Sequence, residues 1–147
     1  MKAVEINKNG GPEVLEVKDI SLDKPSPDHV TIEQKAIGLN YIDTYHRSGL
    51  YPLKLPISLG LEGAGIITDV GENIKDFKIG DKISYAGIPL GSYASHRNYP
   101  TKNLVKVPDD IDLDIAATLM TKGLTTFYLL HKTYPVKPGE IILFHLI

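Results

Sequence analysis

Apolar and polar residues alternate in short runs over the first hundred positions, and each run ends at glycine or proline. Val4 and Ile6 alternate with polar neighbours until Asn9-Gly10-Gly11-Pro12 breaks the pattern. A period of two marks a half-buried strand, and Gly-Pro clusters supply turns. The same reading predicts a strand over residues 14–20, a polar loop over 21–28 with Pro25 and Pro27, and a longer strand over 29–39. In that strand Val30, Ile32, Gln34 and Ala36 share one face. Further strands are predicted over residues 62–70, 82–86, 92–99 and 104–107. Many short strands at close spacing argue for a small barrel or sandwich.

Two stretches change period. Residues 40–49 open on Asn40, a good helix N-cap, carry Asp43 three positions on and close on Gly49, which predicts one short helix. After Pro108 a helix is predicted over 112–120, capped by Asp112 or Asp110, with Ile115, Ala116 and Leu119 on one face. A second follows over 123–133, with Leu124, Phe127, Tyr128 and Leu130 apolar. A turn over 136–140 leads into Ile141-Ile142-Leu143-Phe144, a continuous apolar run of the kind that opens a parallel sheet buried on both faces. Such a strand needs cover from the barrel, a partner or further chain. The expected class is mainly β with α: a β-barrel, two helices and one strand.

Composition narrows the function. The chain has 147 residues, 23% charged, with a net charge of −2, which suits one globular domain or one plus a fragment. Only Arg47 and Arg97 are arginines and no basic cluster exists, so no nucleic-acid partner is expected. With no Cys, disulfides, thiol catalysis and cysteine-ligated metals are excluded. No apolar run approaches the roughly 20 residues of a membrane span. The charged start, Met1-Lys2-Ala3-Val4-Glu5, is unlike a signal peptide. A soluble, cytoplasmic protein is expected.

Candidate chemistry is sparse. The five histidines (His29, His46, His96, His131, His145) lack ligand spacing, and no metal site is expected. Asp109, Asp110, Asp112 and Asp114 imitate a calcium loop, but the interleaved Ile111, Leu113 and Ile115 make them a charged helix start instead. Ser95 and His96, adjacent on a strand, are expected to face opposite sides. Gly60-Leu61-Glu62-Gly63-Ala64-Gly65 is a weak phosphate cradle, and tight strand packing is the better reading. Tyr41, Tyr45 and Tyr51 gather with Asn40, Asp43 and Thr44 around the short helix, Tyr41 and Tyr45 one turn apart. Packing of the helix on the barrel is the commoner use of such rings. Stacking on a planar ligand is the functional one.

Four segments carry a resemblance. Gly10-Gly11-Pro12-Glu13-Val14-Leu15, the run from Lys35 through Asn40-Tyr41-Ile42-Asp43-Thr44-Tyr45, Arg47-Ser48-Gly49-Leu50-Tyr51-Pro52 and the glycine-rich run at 60–65 are similar to the NADPH:quinone oxidoreductases. These form the zinc-free, zeta-crystallin-like branch of the medium-chain dehydrogenase/reductase superfamily. Lys122-Gly123-Leu124-Thr125-Thr126-Phe127-Tyr128 and Leu143-Phe144-His145 resemble it too.

The resemblance implies a GroES-like catalytic domain over residues 1–121 and the start of a truncated Rossmann domain over 122–147. Where zinc-dependent relatives carry Cys and His ligands, this chain has Asn40 and Leu61, which implies no zinc. It also implies NADPH as cofactor, with Asn40, Tyr41, Ile42, Asp43, Thr44, Tyr45, Thr125 and Tyr128 near the nicotinamide, and Asn40 fixing that ring. A quinone or enone is the implied substrate, flanked by Tyr45 and Tyr51 as the catalytic pair. The implied reaction is hydride transfer. The Ala/Gly-rich pyrophosphate turn is not among these residues, so weak cofactor binding and negligible turnover are expected of this chain alone. A homodimer, or a separate chain supplying the other half, would complete the site. The rival expectation is a non-catalytic binding module that uses the tyrosines, or the remnant of a decayed gene.

Overall fold

β3 (His29–Gly38) builds the centre of the molecule because its alternate residues Val30 and Ile32 are fully buried. The computed structural model describes residues 1–143 and 145. The other strands are β1 (Lys2–Ile6), β2 (Glu16–Asp19), β4 (Ile57–Ser58), β5 (Glu62–Val70), β6 (Lys82–Ala86), β7 (His96–Pro100) and β8 (Leu104–Lys106). All their pairings are antiparallel. One sheet has the order β2-β1-β4, the other β7-β3-β5-β6-β8, and an Ala3–Ala94 bridge ties the first to the segment before β7.

The core follows the alternation. Val30, Ile32, Ile67, Ile83, Tyr85, Tyr99 and Leu104 form one buried cluster, and Ile6, Val14 and Leu59 form a second under the smaller sheet. Each fully buried Ile contributes roughly 1.5–3 kcal/mol by leaving water. Arg97 is buried too, its guanidinium 4.5 Å from the Tyr99 ring centroid and 5.1 Å from that of Tyr85. Its Nη2 donates to the carbonyls of Pro89 and Leu90. The π faces and carbonyls take the place of a counter-ion.

Between β3 and β5 the register shifts from Gln34–Gly65 to Ala36–Ala64, and the strands then close on Gly38 opposite Glu62. That final pair decides where the next residues land. α1 (Tyr41–Ser48) begins directly after it, with Asn40 in the extended conformation of an N-cap. α1 ends at Gly49, whose φ of 86° is the left-handed conformation glycine adopts at least cost.

The two later helices are α2 (Leu113–Thr118) and α3 (Leu124–Phe127), and they join into one helical run. The link, Leu119–Gly123, is π-helical: the Leu124 amide reaches back to the Leu119 carbonyl, five residues away. A second π-helical stretch, Tyr128–Thr133, follows. α2 packs on β3 and β5 through Ala116 and Ala117 against Ala64.

Several expectations need correction. The strand expected over 92–99 forms only from His96. Ser95 therefore escapes strand alternation, and its Oγ lies 3.2 Å from His96 Nδ1 instead of on the opposite face. Ile115 and Leu119 are exposed, and the buried face of α2 is Ala116 and Ala117. The backbones approach closely there, since a Cβ on Gly38 would strike the Ala117 carbonyl. Ile141, Ile142 and Leu143 form no strand and are exposed, because no described strand offers them a partner. Phe144 lies outside the described residues.

Candidate functional site

The sequence from Gly38 to Asp43 folds into a polar knot. Glu62 opens β5 with a completely buried carboxylate. Its Oε2 accepts from Asn40 Nδ2 at 2.8 Å and from Lys122 Nζ at 3.3 Å, while Oε1 accepts from the Thr121 backbone N–H at 2.6 Å. Lys122 also donates to the Leu39 carbonyl at 3.1 Å and to Asn40 Oδ1 at 3.2 Å. A buried carboxylate is tolerated only when its charge is met by donors, and here three meet it. The barrel and the π-helical link are joined through this one side chain. Gly38 leaves the room: a Cβ there would run into the Ala117 carbonyl and stand 2.5 Å from Glu62 Oε2.

The start of α1 is tied on its other side. Asp43 Oδ2 accepts from the Asn40 backbone N–H at 3.0 Å and from the Tyr93 hydroxyl at 2.7 Å. Burial, then the Asp43 carboxylate, push the Tyr93 phenol well above its ordinary range. Asp43 Oδ1 and His46 Nδ1 are buried without a hydrogen-bond partner. Asp43 lines a cavity of about 70 Å³ with Thr44, Arg47, Leu15, Leu39 and Tyr93.

On the outside of α1 the tyrosines form a shelf. The Tyr41 and Tyr45 rings meet edge to face at 5.2 Å, and Tyr45 and Tyr51 are tilted at 5.3 Å. The amides of Gly49 and Tyr51 both bond the Tyr45 carbonyl and fold the following loop back, which brings Tyr51 against Tyr45. Tyr41 is 70% exposed and Tyr51 48%. A helix-packing role would have buried them, and they stand open instead.

The structure thus brings Tyr41, Tyr45 and Tyr51 together and sets Thr44 beside them, its hydroxyl bonded to the Tyr41 carbonyl. Ile42 is half-buried and Asp43 buried. Asn40 is 8% exposed with its amide turned inward to Glu62 and Lys122, away from the shelf. Thr125 and Tyr128 lie apart on the exposed side of the helical run. The run at 60–65 is built into the sheet, where a Cβ on Gly63 would stand 2.6 Å from Gln34 Oε1 and one on Gly65 would strike the Glu33 carbonyl. Close strand packing is therefore its role. Among the described residues no group of three or more His, Asp or Glu is placed to hold a metal. No helix among them is long and apolar enough to cross a membrane.

Residue-level reading missed Glu62 and Lys122 as partners. They are 60 positions apart, and only the Gly38–Glu62 register and the π-helical link bring them together.

Comparison with known proteins agrees with this architecture. Residues 26–109 match the alcohol dehydrogenase GroES-like domain. A quinone oxidoreductase of Pseudomonas aeruginosa is 50% identical over 145 residues, spanning 98% of this chain and 45% of that protein. A 2-haloacrylate reductase of Burkholderia sp. is 42% identical over 149 residues, 97% of this chain and 45% of its own length. The crystal structure of Escherichia coli quinone oxidoreductase complexed with NADPH superposes with a TM-score of 0.91 at 45% identity, covering 95% of this chain and 43% of that one. The chain spans somewhat under half the length of these relatives. It belongs to the alcohol dehydrogenase GroES-like domain family and corresponds to the N-terminal part of the quinone oxidoreductases in the medium-chain dehydrogenase/reductase superfamily.

Proposed function

We propose that this chain supplies the substrate-side half of an NADPH-dependent quinone reductase, with residues 1–121 as the catalytic domain and 122–147 as the start of the dinucleotide-binding domain. The observation that carries this is the shelf of Tyr41, Tyr45 and Tyr51 on and after α1, the helix whose N-cap Asn40 is held by the buried Glu62–Lys122 pair. Relatives named quinone oxidoreductase at 46–50% identity support it.

The residues present fit the ring end of a dinucleotide. Flat phenol faces stand ready for stacking, and the Thr121 hydroxyl is buried and unpartnered on the residue whose amide Glu62 holds. Bound NADPH would supply a hydride for a quinone or conjugated carbonyl. Tyr45 and Tyr51 would flank that substrate and exclude water from it. Tyr41, Ile42 and Thr44 would line the nicotinamide side, with Asn40 and Asp43 holding the start of α1 beneath them. Thr125 and Tyr128, exposed on the helical run and apart from the shelf, would meet the cofactor from that separate side. A quinone or enone would be the hydride acceptor, with NADPH consumed as donor and the proton drawn from solvent. A homodimer or a separate chain could complete the cleft, and a cytoplasmic location suits the cofactor.

The test is NADPH oxidation with 1,4-benzoquinone. Tyr45→Ala should lower kcat/KM about tenfold, equivalent to roughly 1.4 kcal/mol of aromatic contact. Since little turnover is expected of this chain alone, the reading is overturned if no NADPH is oxidised even when the chain is joined to the C-terminal half of the Pseudomonas aeruginosa relative. The exposed shelf also favours a second role, as a non-catalytic module that binds planar molecules. Binding of quinone without its reduction would select that one.

A further inference from the structure

We propose that Glu62 is a positioning residue for the ring-binding site, acting through Asn40 and Lys122. This rests on the reductase reading above. Three observations carry it. Glu62 is completely buried, yet every hydrogen bond it accepts comes from a residue at the base of the tyrosine shelf or on the π-helical link. Asn40 has no freedom left: its Nδ2 goes to Glu62, its Oδ1 to Lys122 and its backbone N–H to Asp43. The Lys122 ammonium is held by three oxygens at 3.1–3.3 Å although its side chain is half exposed.

An amide is two-faced, since a flip exchanges a donor for an acceptor. A carboxylate on one side and an ammonium on the other permit only one orientation of Asn40. The fixed amide keeps the first residue of α1 in place, and Tyr41 follows in the next position. On the other side, Glu62 Oε1 holds the Thr121 amide and so sets where Thr125 and Tyr128 approach. One carboxylate therefore fixes the gap between the two walls of the proposed pocket. The side chain itself touches neither ring.

Glu62→Gln keeps the shape and removes the charge. With its carbonyl oxygen kept on the Thr121 amide, its new NH₂ would face the donors of Asn40 and Lys122, so the Asn40 amide should turn and Lys122 should swing into solvent. Two readouts separate this from a merely structural role. The first is the Asn40 side-chain amide in a ¹⁵N–¹H spectrum, assigned by its loss in Asn40→Ser. Glu62→Gln should move that pair toward ordinary amide positions while the backbone signals stay dispersed. The second is steady-state kinetics with NADPH and 1,4-benzoquinone, with each variant joined to the C-terminal half of the Pseudomonas aeruginosa relative. Misplacement of about 1 Å costs about 10²-fold, and the loss should fall on kcat with the quinone KM little changed. Lys122→Met should share both effects, and the double variant should be no worse than either single one.

An unmoved amide pair, or an unaltered kcat alongside a moved pair, overturns the proposal. If the chain joined to the C-terminal half of the Pseudomonas aeruginosa relative oxidises no NADPH, the reductase reading fails and this inference, which depends on it, fails too. Should Glu62→Gln not fold, Lys122→Met carries the same two readouts.

Discussion

A buried phenol can be interrogated directly with pH. Burial pushes Tyr85 up to about 12 from its ordinary 10.0, and Arg97 beside it only partly offsets the shift. Tyr99 is raised as well, again by burial. A group whose folded pKa is raised stabilises the fold fully below its unfolded value, and that contribution is lost as pH rises through the folded one. Stability should therefore hold to about pH 10 and fall between pH 10 and about 12. The last phase of phenolate absorbance should appear together with loss of the circular dichroism signal, and ionisation of all eight tyrosines without unfolding would contradict the burial. Gly38 gives a second test at this scale. Gly38→Ala pushes a methyl group against the Ala117 carbonyl and Glu62, and overpacking of that kind costs about 1–3 kcal/mol, measurable by urea denaturation. The tyrosine cluster was legible in the sequence because Tyr41 and Tyr45 are four apart on a helix. The Glu62–Lys122 pair was not, because no local spacing records a contact made by sheet register.

At the scale of elements, α1 was the most readable. Asn40 and Gly49 sit at its ends as their chemistry dictates, and Asp43 reaches back to the Asn40 amide. Asp43→Ala would strand that amide and the Tyr93 hydroxyl, for a loss of about 1–3 kcal/mol. The unmodified protein and this variant should separate clearly in a thermal melt. α2 was misread for an instructive reason. Hydrophobicity ranks Ile115 and Leu119 above alanine, but the interface with β3 and β5 is narrow, so Ala116 and Ala117 enter it. Size, not affinity for oil, decided that face. Residues 141–143 show the converse limit. A fully apolar run states that a strand could be buried, and only a neighbouring strand can make it one.

Across the whole molecule, β3 and β5 are each hydrogen-bonded on both sides, whereas Leu124, Phe127, Tyr128 and Leu129 on the helical run remain exposed. Amide hydrogen exchange should follow that division, slowest over β3 and β5 and fastest beyond Gly123. Protection beyond Gly123 equal to that of β3 would mean the run is held as firmly as the barrel. The two antiparallel sheets were foreseeable from period-two runs and turns, while their order was not, because pairing between distant strands leaves no mark on either.

The continuous run over residues 113–133 also makes the molecule a lever. α2 is clamped against the sheet and Glu62 grips the link at Thr121, while the ten residues from Leu124 to Thr133 project roughly 15 Å beyond that fulcrum. A tilt of about 5° at the grip would carry the tip through roughly 1.3 Å. Such a tilt would act at Thr121 and, through its amide, on the buried Glu62 carboxylate.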